Sequence, residues 1–146
     1  MSIHSFIVQA PGLTVLVDTC VGNDKPRENP TWNMLKTDFL ERLGAAGFPP
    51  ESIDLVLCTH LHVDHIGWNT RLQDGRWVPT FPRARYLFAR KEWEHWSTRD
   101  GDEYGPIIAD SVRPVVEAGR ADLVEGDHRI SEELALEPTP AILRAT

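Results

Sequence analysis

The feature that most constrains this chain is a polar cluster at residues 59–65, which we call the metal loop. It directly follows the apolar run 55–58. Successive side chains of an extended chain point to opposite faces, so alternate histidines can emerge together while Leu61 and Val63 turn into the core. Imidazole nitrogens and one carboxylate suit zinc first, then iron, manganese or cobalt. The loop therefore predicts a metal site whose candidate ligands are His60, His62, Asp64 and His65.

The segment before the metal loop supports this interpretation. Residues 53–58 are too continuously apolar for a half-exposed strand and predict a buried central strand. Such a strand is a rigid support that fixes the geometry of ligands at its end. The alternative is a solvated polar turn, but three closely spaced histidines are unusual in a turn without a function.

The metal loop also carries a family resemblance. His-Leu-His-Val-Asp-His at residues 60–65 resembles the HxHxDH signature of the metallo-β-lactamase fold superfamily. Its zinc-dependent hydrolases include lactonases, glyoxalase II-like thioesterases, organophosphate hydrolases and RNA nucleases. Residues 13–19 resemble the family's early strand ending in Asp-Thr, and Asp18 matches a carboxylate that lies behind the metal ligands. Residues 18–25 are most similar to the branch of acyl-homoserine lactonases and methyl-parathion-hydrolase-like enzymes.

The resemblance implies an α/β fold and its chemistry. The family fold is an αββα sandwich of two halves, and residues 1–146 would cover the N-terminal half, a mixed β-sheet with covering helices. His60 and His62 would join a third histidine on one metal, and Asp64 and His65 would hold the other. Two zinc ions are expected in a complete site, with other divalent metals as alternatives. They would activate water as hydroxide, which Asp64, the candidate catalytic residue, could orient.

The family pattern breaks near the end of the chain. The third family histidine normally lies in a Thr-Pro-Gly-His-x-x-Gly-His segment, but here Thr139-Pro140 is followed by Ala-Ile-Leu-Arg-Ala-Thr. Deleting one base from codon 140 of a gene for Thr-Pro-Gly-His-Pro-Ala-Gly-His-Val reproduces this ending and a stop codon. We therefore expect residues 141–146 to be an out-of-frame tail and the second half to be missing. A naturally evolved half-domain is the alternative.

Composition excludes several partners. The net charge of −7 argues against nucleic acid, whose binders carry clustered Lys and Arg. No run reaches 18 apolar residues and no basic segment precedes an apolar one, so we expect a cytoplasmic protein that does not enter membranes. Cys20 and Cys58 are expected to be free thiols. The expected partner is a small-molecule substrate, and the oligomeric state stays open.

Local patterns predict the remaining elements. Ala10-Pro11-Gly12 and Asp74-Gly75 predict hairpin turns. Residues 21–30 read as a loop whose Lys25 and Arg27 are solvated rather than substrate-binding. Apolar periodicity predicts helices at residues 32–46, 91–96 and 107–118, the last kinked at Pro114, and strands at residues 85–89, 123–127 and 134–137.

The leading functional interpretation is a truncated, impaired metal-dependent hydrolase that attacks a lactone, an ester or a related small substrate. The enzymatic alternatives within the same fold are hydrolysis of organophosphates, thioesters or β-lactams. A catalytically inactive metal-binding or interaction half-domain is the alternative of a different class.

Overall fold

The fold is built on a five-stranded sheet with the strand order β1-β2-β3-β6-β7, and a separate hairpin pairs β4 with β5. A computed structural model describes residues 3–98 and 106–137. Strands β1 and β2 are antiparallel, whereas each later pairing in the large sheet is parallel. In chain order the strands are β1 Phe6–Ala10, β2 Leu13–Val17, β3 Leu55–Leu57, β4 Thr70–Gln73, β5 Arg76–Pro79, β6 Arg85–Ala89 and β7 Ala121–Val124.

Helices cover one face of the large sheet. They are α1 Phe39–Ala45, α2 Arg90–Trp96, α3 Ile107–Ser111 and α4 Arg113–Glu117. On this face Leu16, Val56, Tyr86 and Phe88 are fully buried and pack with apolar side chains of the helices. The core of the described residues therefore lies between the sheet and its helices, and it supports the strands that end at the metal loop.

The opposite face of the sheet also carries apolar side chains. Paired residues point to the same face, so Phe6, Val17 and Leu57 form one row across β1, β2 and β3. Phe6 is 60% exposed, and Val17 and Leu57 are only partly buried. We call this row the open face, because it lies across the sheet from the helices.

Several elements match the sequence predictions, and others do not. Both hairpin turns, the strand at residues 85–89 and helix α2 are confirmed. The predicted helix at residues 32–46 was too long, because residues 29–34 form turns. There Trp32 N–H donates to Asn29 C=O, and Met34, at a φ of 51°, donates its N–H to Lys25 C=O.

The C-terminal third of the described chain differs further. The expected kink at Pro114 is a full break between α3 and α4, because proline lies in the first turn of α4. The predicted strand at residues 134–137 is wrong, since only an isolated bridge joins Arg129 and Ala135 there. The predicted out-of-frame tail at residues 141–146 lies outside the described residues. No helix in the described part is long and apolar enough to cross a membrane.

The loop after β2 contains two buried cations, so the prediction of solvated charges was wrong. Arg27 forms a bidentate ion pair with Asp110, with nitrogen–oxygen distances of 2.7 and 2.9 Å. Lys25 Nζ donates to the carbonyl and hydroxyl oxygens of Thr70, each at 3.0 Å, and lies 4.1 Å from the centroid of the Trp77 ring. These contacts attach the loop to α3 and to the β4–β5 hairpin.

Candidate metal centre

The site begins where β2 and β3 end side by side. Parallel strands bring their carboxyl ends to one edge of the sheet, so Asp18 and Thr59 meet there although 41 positions separate them. Asp18 N–H donates to Leu57 C=O at 2.8 Å. One Asp18 carboxylate oxygen in turn accepts the Thr59 N–H at 2.8 Å, and the Thr59 hydroxyl lies 3.0 Å from both oxygens. This exchange fixes the start of the metal loop.

Asp18 also orients His65. Its second carboxylate oxygen lies 2.8 Å from His65 Nδ1, and a carboxylate can only accept in such a bond. In the neutral ring, His65 Nδ1 therefore carries the proton and Nε2 keeps its lone pair. A histidine whose second nitrogen donates to a carboxylate is the usual arrangement of a metal ligand. The structure thus places Asp18 against His65, and its role in support of a metal ligand stays a prediction.

The four predicted ligands lie together at this edge of the sheet. The ring centroid of His60 is 4.5 Å from that of His62 and 4.0 Å from that of His65. Asp64 Oδ1 lies 3.5 Å from His65 Nε2. Leu61 and Val63, between them in sequence, are buried in the core. Alternate residues of the loop therefore point to the site and to the core.

The donor atoms are not arranged around a common point. Within residues 3–98 and 106–137, no group of three or more His, Cys, Asp or Glu side chains is placed to hold a metal ion. The rings of His60 and His62 meet edge to face at 81°, and Asp64 faces His65. The donor types fit a divalent ion such as zinc, because neutral imidazoles and a carboxylate are its usual ligands. Their role as ligands stays a prediction.

Electrostatics distinguish the histidines. Partial burial and the neighbouring His65 and His62 lower the pKa of His60, which favours the neutral imidazole that a metal requires. Burial alone would also lower the pKa of His65. Its hydrogen bond to Asp18 and the charges of Asp18 and Asp64 outweigh burial and raise that pKa. Without a cation, the site therefore holds a proton more readily at His65 than at His60.

Close backbone contacts hold the metal loop against the loop after β2. Thr19 N–H donates to His65 C=O at 2.8 Å, and Gly67 N–H donates to Cys20 C=O at 2.7 Å. A Cβ atom on Gly67 would lie 1.9 Å from the carbonyl of Val21, so only glycine fits there. Trp68, which the sequence left as a cleft or core residue, is buried and stacks on Phe39 at 5.7 Å.

Sequence reasoning missed two residues of α2 that contact the metal loop. Glu92 Oε1 accepts the N–H of Leu61 at 2.7 Å. The Trp96 ring meets that of His62 at a centroid distance of 5.5 Å. The position of α2 in the chain could have indicated these contacts. Helix α2 directly follows β6, the parallel neighbour of β3, so the first turn of α2 lies at the same sheet edge as the metal loop.

Together, the fold and the site define an α/β protein with a histidine-rich candidate metal centre at the carboxyl edge of parallel strands. The family model of the metallo-beta-lactamase superfamily matches residues 1–142. The chain belongs to this superfamily, as the motif at residues 60–65 predicted.

Solved structures share the fold at low sequence identity. The hydrolase AbOPH of the beta lactamase superfamily matches with a TM-score of 0.64 and 22% identity over 88% of this chain and 45% of its own. A mutant of B. thuringiensis AiiA with N-decanoyl-L-homoserine at its active site matches with a TM-score of 0.63 and 19% identity. That match covers 92% of this chain and 52% of the AiiA chain. AidC, a dizinc quorum-quenching lactonase, matches with a TM-score of 0.59 and 18% identity. That match covers 88% of this chain and 45% of the AidC chain.

These matches define what part of the fold is present. The chain spans about half the length of the solved structures it matches. This share agrees with the predicted N-terminal half of an αββα sandwich. No curated protein sequence matches the chain.

Proposed function

We propose that this chain forms the metal-binding half of a hydrolase that opens a lactone or cleaves an ester or related small substrate. The observation that carries the proposal is the meeting of His60, His62, Asp64 and His65 at one sheet edge, with Asp18 bonded to His65. Membership of the metallo-beta-lactamase superfamily supports it. We propose zinc as the metal, with two ions in a site completed by ligands from outside the described residues.

The residues of the chain would contribute distinct functions. Bound at these residues, a divalent metal supplies Lewis acidity, which lowers the pKa of water and polarises a carbonyl or phosphoryl oxygen. His60 and His62 would provide neutral imidazoles for one ion, and Asp64 and His65 would provide ligands for the other. Asp18 keeps the proton of His65 on Nδ1. The Asp64 carboxylate also accepts a hydrogen bond from water and orients it towards substrate.

Lactones are the proposed substrate class because of two of the matched structures. The AiiA mutant carries N-decanoyl-L-homoserine at its active site, and AidC is described as a lactonase. Organophosphates, thioesters and β-lactams are alternatives, because the same chemistry serves each of them.

A catalytically inactive metal-binding half-domain is the second candidate function. The two candidates share the metal site and differ in turnover.

Metal titration and a substrate screen test both candidates. The purified chain is titrated with zinc against a chromophoric chelator and then assayed with a lactone, a thioester and a phosphotriester. His62→Ala should weaken zinc binding by about ten-fold or more. His95→Ala is the matched control, because His95 is exposed and packs on Trp96 instead. Equal effects of the two substitutions would contradict the metal site. Tight binding without turnover would select the inactive half-domain.

A further inference from the structure

Helix α2 contacts the metal loop at its centre, between two of the proposed ligands. Strand β6 is the parallel neighbour of β3, and α2 follows β6 without an intervening loop. The first turn of α2 therefore lies beside the chain that leaves β3. There Glu92 Oε1 accepts a hydrogen bond from Leu61 N–H at 2.7 Å. Leu61 is the residue between His60 and His62.

The Leu61 residue is held from two sides. Its side chain is fully buried in the hydrophobic core, and its N–H donates to the Glu92 carboxylate. Hydrogen bonds to a charged acceptor are stronger than neutral ones. Rotation of the peptide that joins His60 to Leu61 would break this bond. It would also change the angle between the two imidazole rings, so the bond fixes their relative orientation.

Two further interactions connect α2 with the same histidines. Trp96 lies one helical turn after Glu92, on the same face of α2, and its ring meets the His62 ring edge to face at 77°. The Glu92 carboxylate also interacts electrostatically with His60. A negative charge at this place favours a cation at the site.

We propose that Glu92 is a positioning residue of the metal centre, which sets the geometry of the His60–His62 pair through the N–H of Leu61. This inference rests on the proposed function, since it assigns a role towards the proposed metal. Glu92 is not itself a proposed ligand. Its effect is therefore expected in the affinity for the ion and in the geometry of the bound state.

Cobalt(II) titration of the full chain tests the role, because its visible absorption reports both affinity and ligand geometry. Glu92→Ala removes the acceptor and should lower cobalt affinity about ten-fold and shift the absorption bands. Glu92→Gln should restore most of the affinity and the bands, because its amide oxygen can accept the same hydrogen bond. Glu94→Ala is the matched control, since Glu94 is exposed on the same helix and should change neither.

The outcomes separate this inference from the proposed function. A wild-type chain that binds no cobalt or zinc would overturn both. Wild-type binding with unchanged affinity and spectrum in Glu92→Ala would overturn the positioning role alone. If circular dichroism shows that Glu92→Ala is unfolded, Glu92→Asp replaces it. Asp keeps the charge but withdraws the carboxylate by one methylene, so weaker binding is expected and wild-type binding would overturn the role.

Discussion

Asp18 is the residue that joins the end of β2 to the metal loop. Its carboxylate contacts Thr59 N–H, the Thr59 hydroxyl and His65 Nδ1 within 3.0 Å, and only 6% of the residue is exposed. Its φ of 60° is a conformation that Asp tolerates better than most residues. One side chain therefore links the end of β2 to both ends of the metal loop.

Asp18→Asn should lower zinc affinity by about ten- to a hundred-fold, because the amide removes the charge that supports His65 as a ligand. Competition with a chromophoric chelator measures the change. Asp74→Asn is the control, since Asp74 lies in the exposed β4–β5 turn at a φ of 53°, which Asn also accepts. An affinity of Asp18→Asn equal to that of the control would show that this carboxylate does not support the ligands.

Lys25 should make stability depend on pH. Burial lowers the pKa of Lys25 to about 7, although the charge of Asp110 opposes the shift. An unfolded lysine titrates near ~10.4. Between these values the unfolded chain binds more protons, so the free energy of unfolding should rise with pH, by up to about 1.4 kcal/mol per pH unit. Below pH 7 the contribution no longer changes.

Urea denaturation between pH 7 and 9.5 measures this effect against Lys25→Met, which has a similar length and no titration. Wild type should gain stability relative to Lys25→Met as the pH rises. Parallel pH profiles for the two chains would show that Lys25 keeps an ordinary pKa in the folded state.

At the scale of elements, the metal loop depends on its close contact with the loop after β2. A Cβ atom at Gly67 would lie 1.9 Å from backbone atoms of Val21, and neither backbone segment can yield cheaply. Gly67→Ala should therefore destabilise the chain by about 3 kcal/mol or more, at the upper end of overpacking costs.

The matched control for Gly67→Ala is Gly44→Ala. Gly44 lies inside α1, and its added Cβ atom would meet nothing within 4 Å. This change should stabilise the helix by roughly 0.5–1 kcal/mol. Urea denaturation at one pH compares the two variants. A Gly67→Ala chain as stable as wild type would mean that the two loops can separate.

Elements with local signals were predictable from sequence. Asp74-Gly75 is a residue pair that favours a tight hairpin turn, and the hairpin forms there. The apolar and aromatic residues at 85–89 are typical of a strand, and β6 spans them. The start of α1 was not predictable, because Met34 bonds to Lys25 across a loop. The burial of Arg27 depends on Asp110, 83 positions away, and no spacing rule reports that partner. Glu92 lies 31 positions from Leu61, and no spacing rule reports that contact either.

In the metal loop, the sequence predicted which side chains are buried but not how the histidine rings are oriented. Its residue types and alternation correctly indicated which side chains turn inwards, since Leu61 and Val63 are buried. Spacing alone could not orient the rings. His65 takes its orientation from Asp18, 47 positions away.

At the scale of the whole molecule, the open face should govern solution behaviour. Phe6 is 60% exposed in a row of apolar side chains across three strands. Apolar surface of this kind favours association. The chain should bind a hydrophobic dye and self-associate at micromolar concentration in sedimentation experiments.

Phe6→Lys should reduce that association, because it places a charge in the row. Leu72→Lys is the control, since Leu72 is 45% exposed but lies on the separate β4–β5 hairpin. Equal effects of the two substitutions would show that general surface apolarity, and not the open face, drives association.

Because the sheet order β1-β2-β3-β6-β7 follows chain order, the sheet can grow as the chain is synthesised. Each new strand meets the edge left by the strand before it, so no strand must be inserted between two already paired. Asp18 and His65 can join once β3 and the metal loop have left the ribosome, whereas Glu92 follows only after β4, β5 and β6. During synthesis the N-terminal segments leave the ribosome first, at about 5–20 residues per second. The metal loop would thus contact Asp18 first, and its contact with Glu92 would form only after α2 emerges.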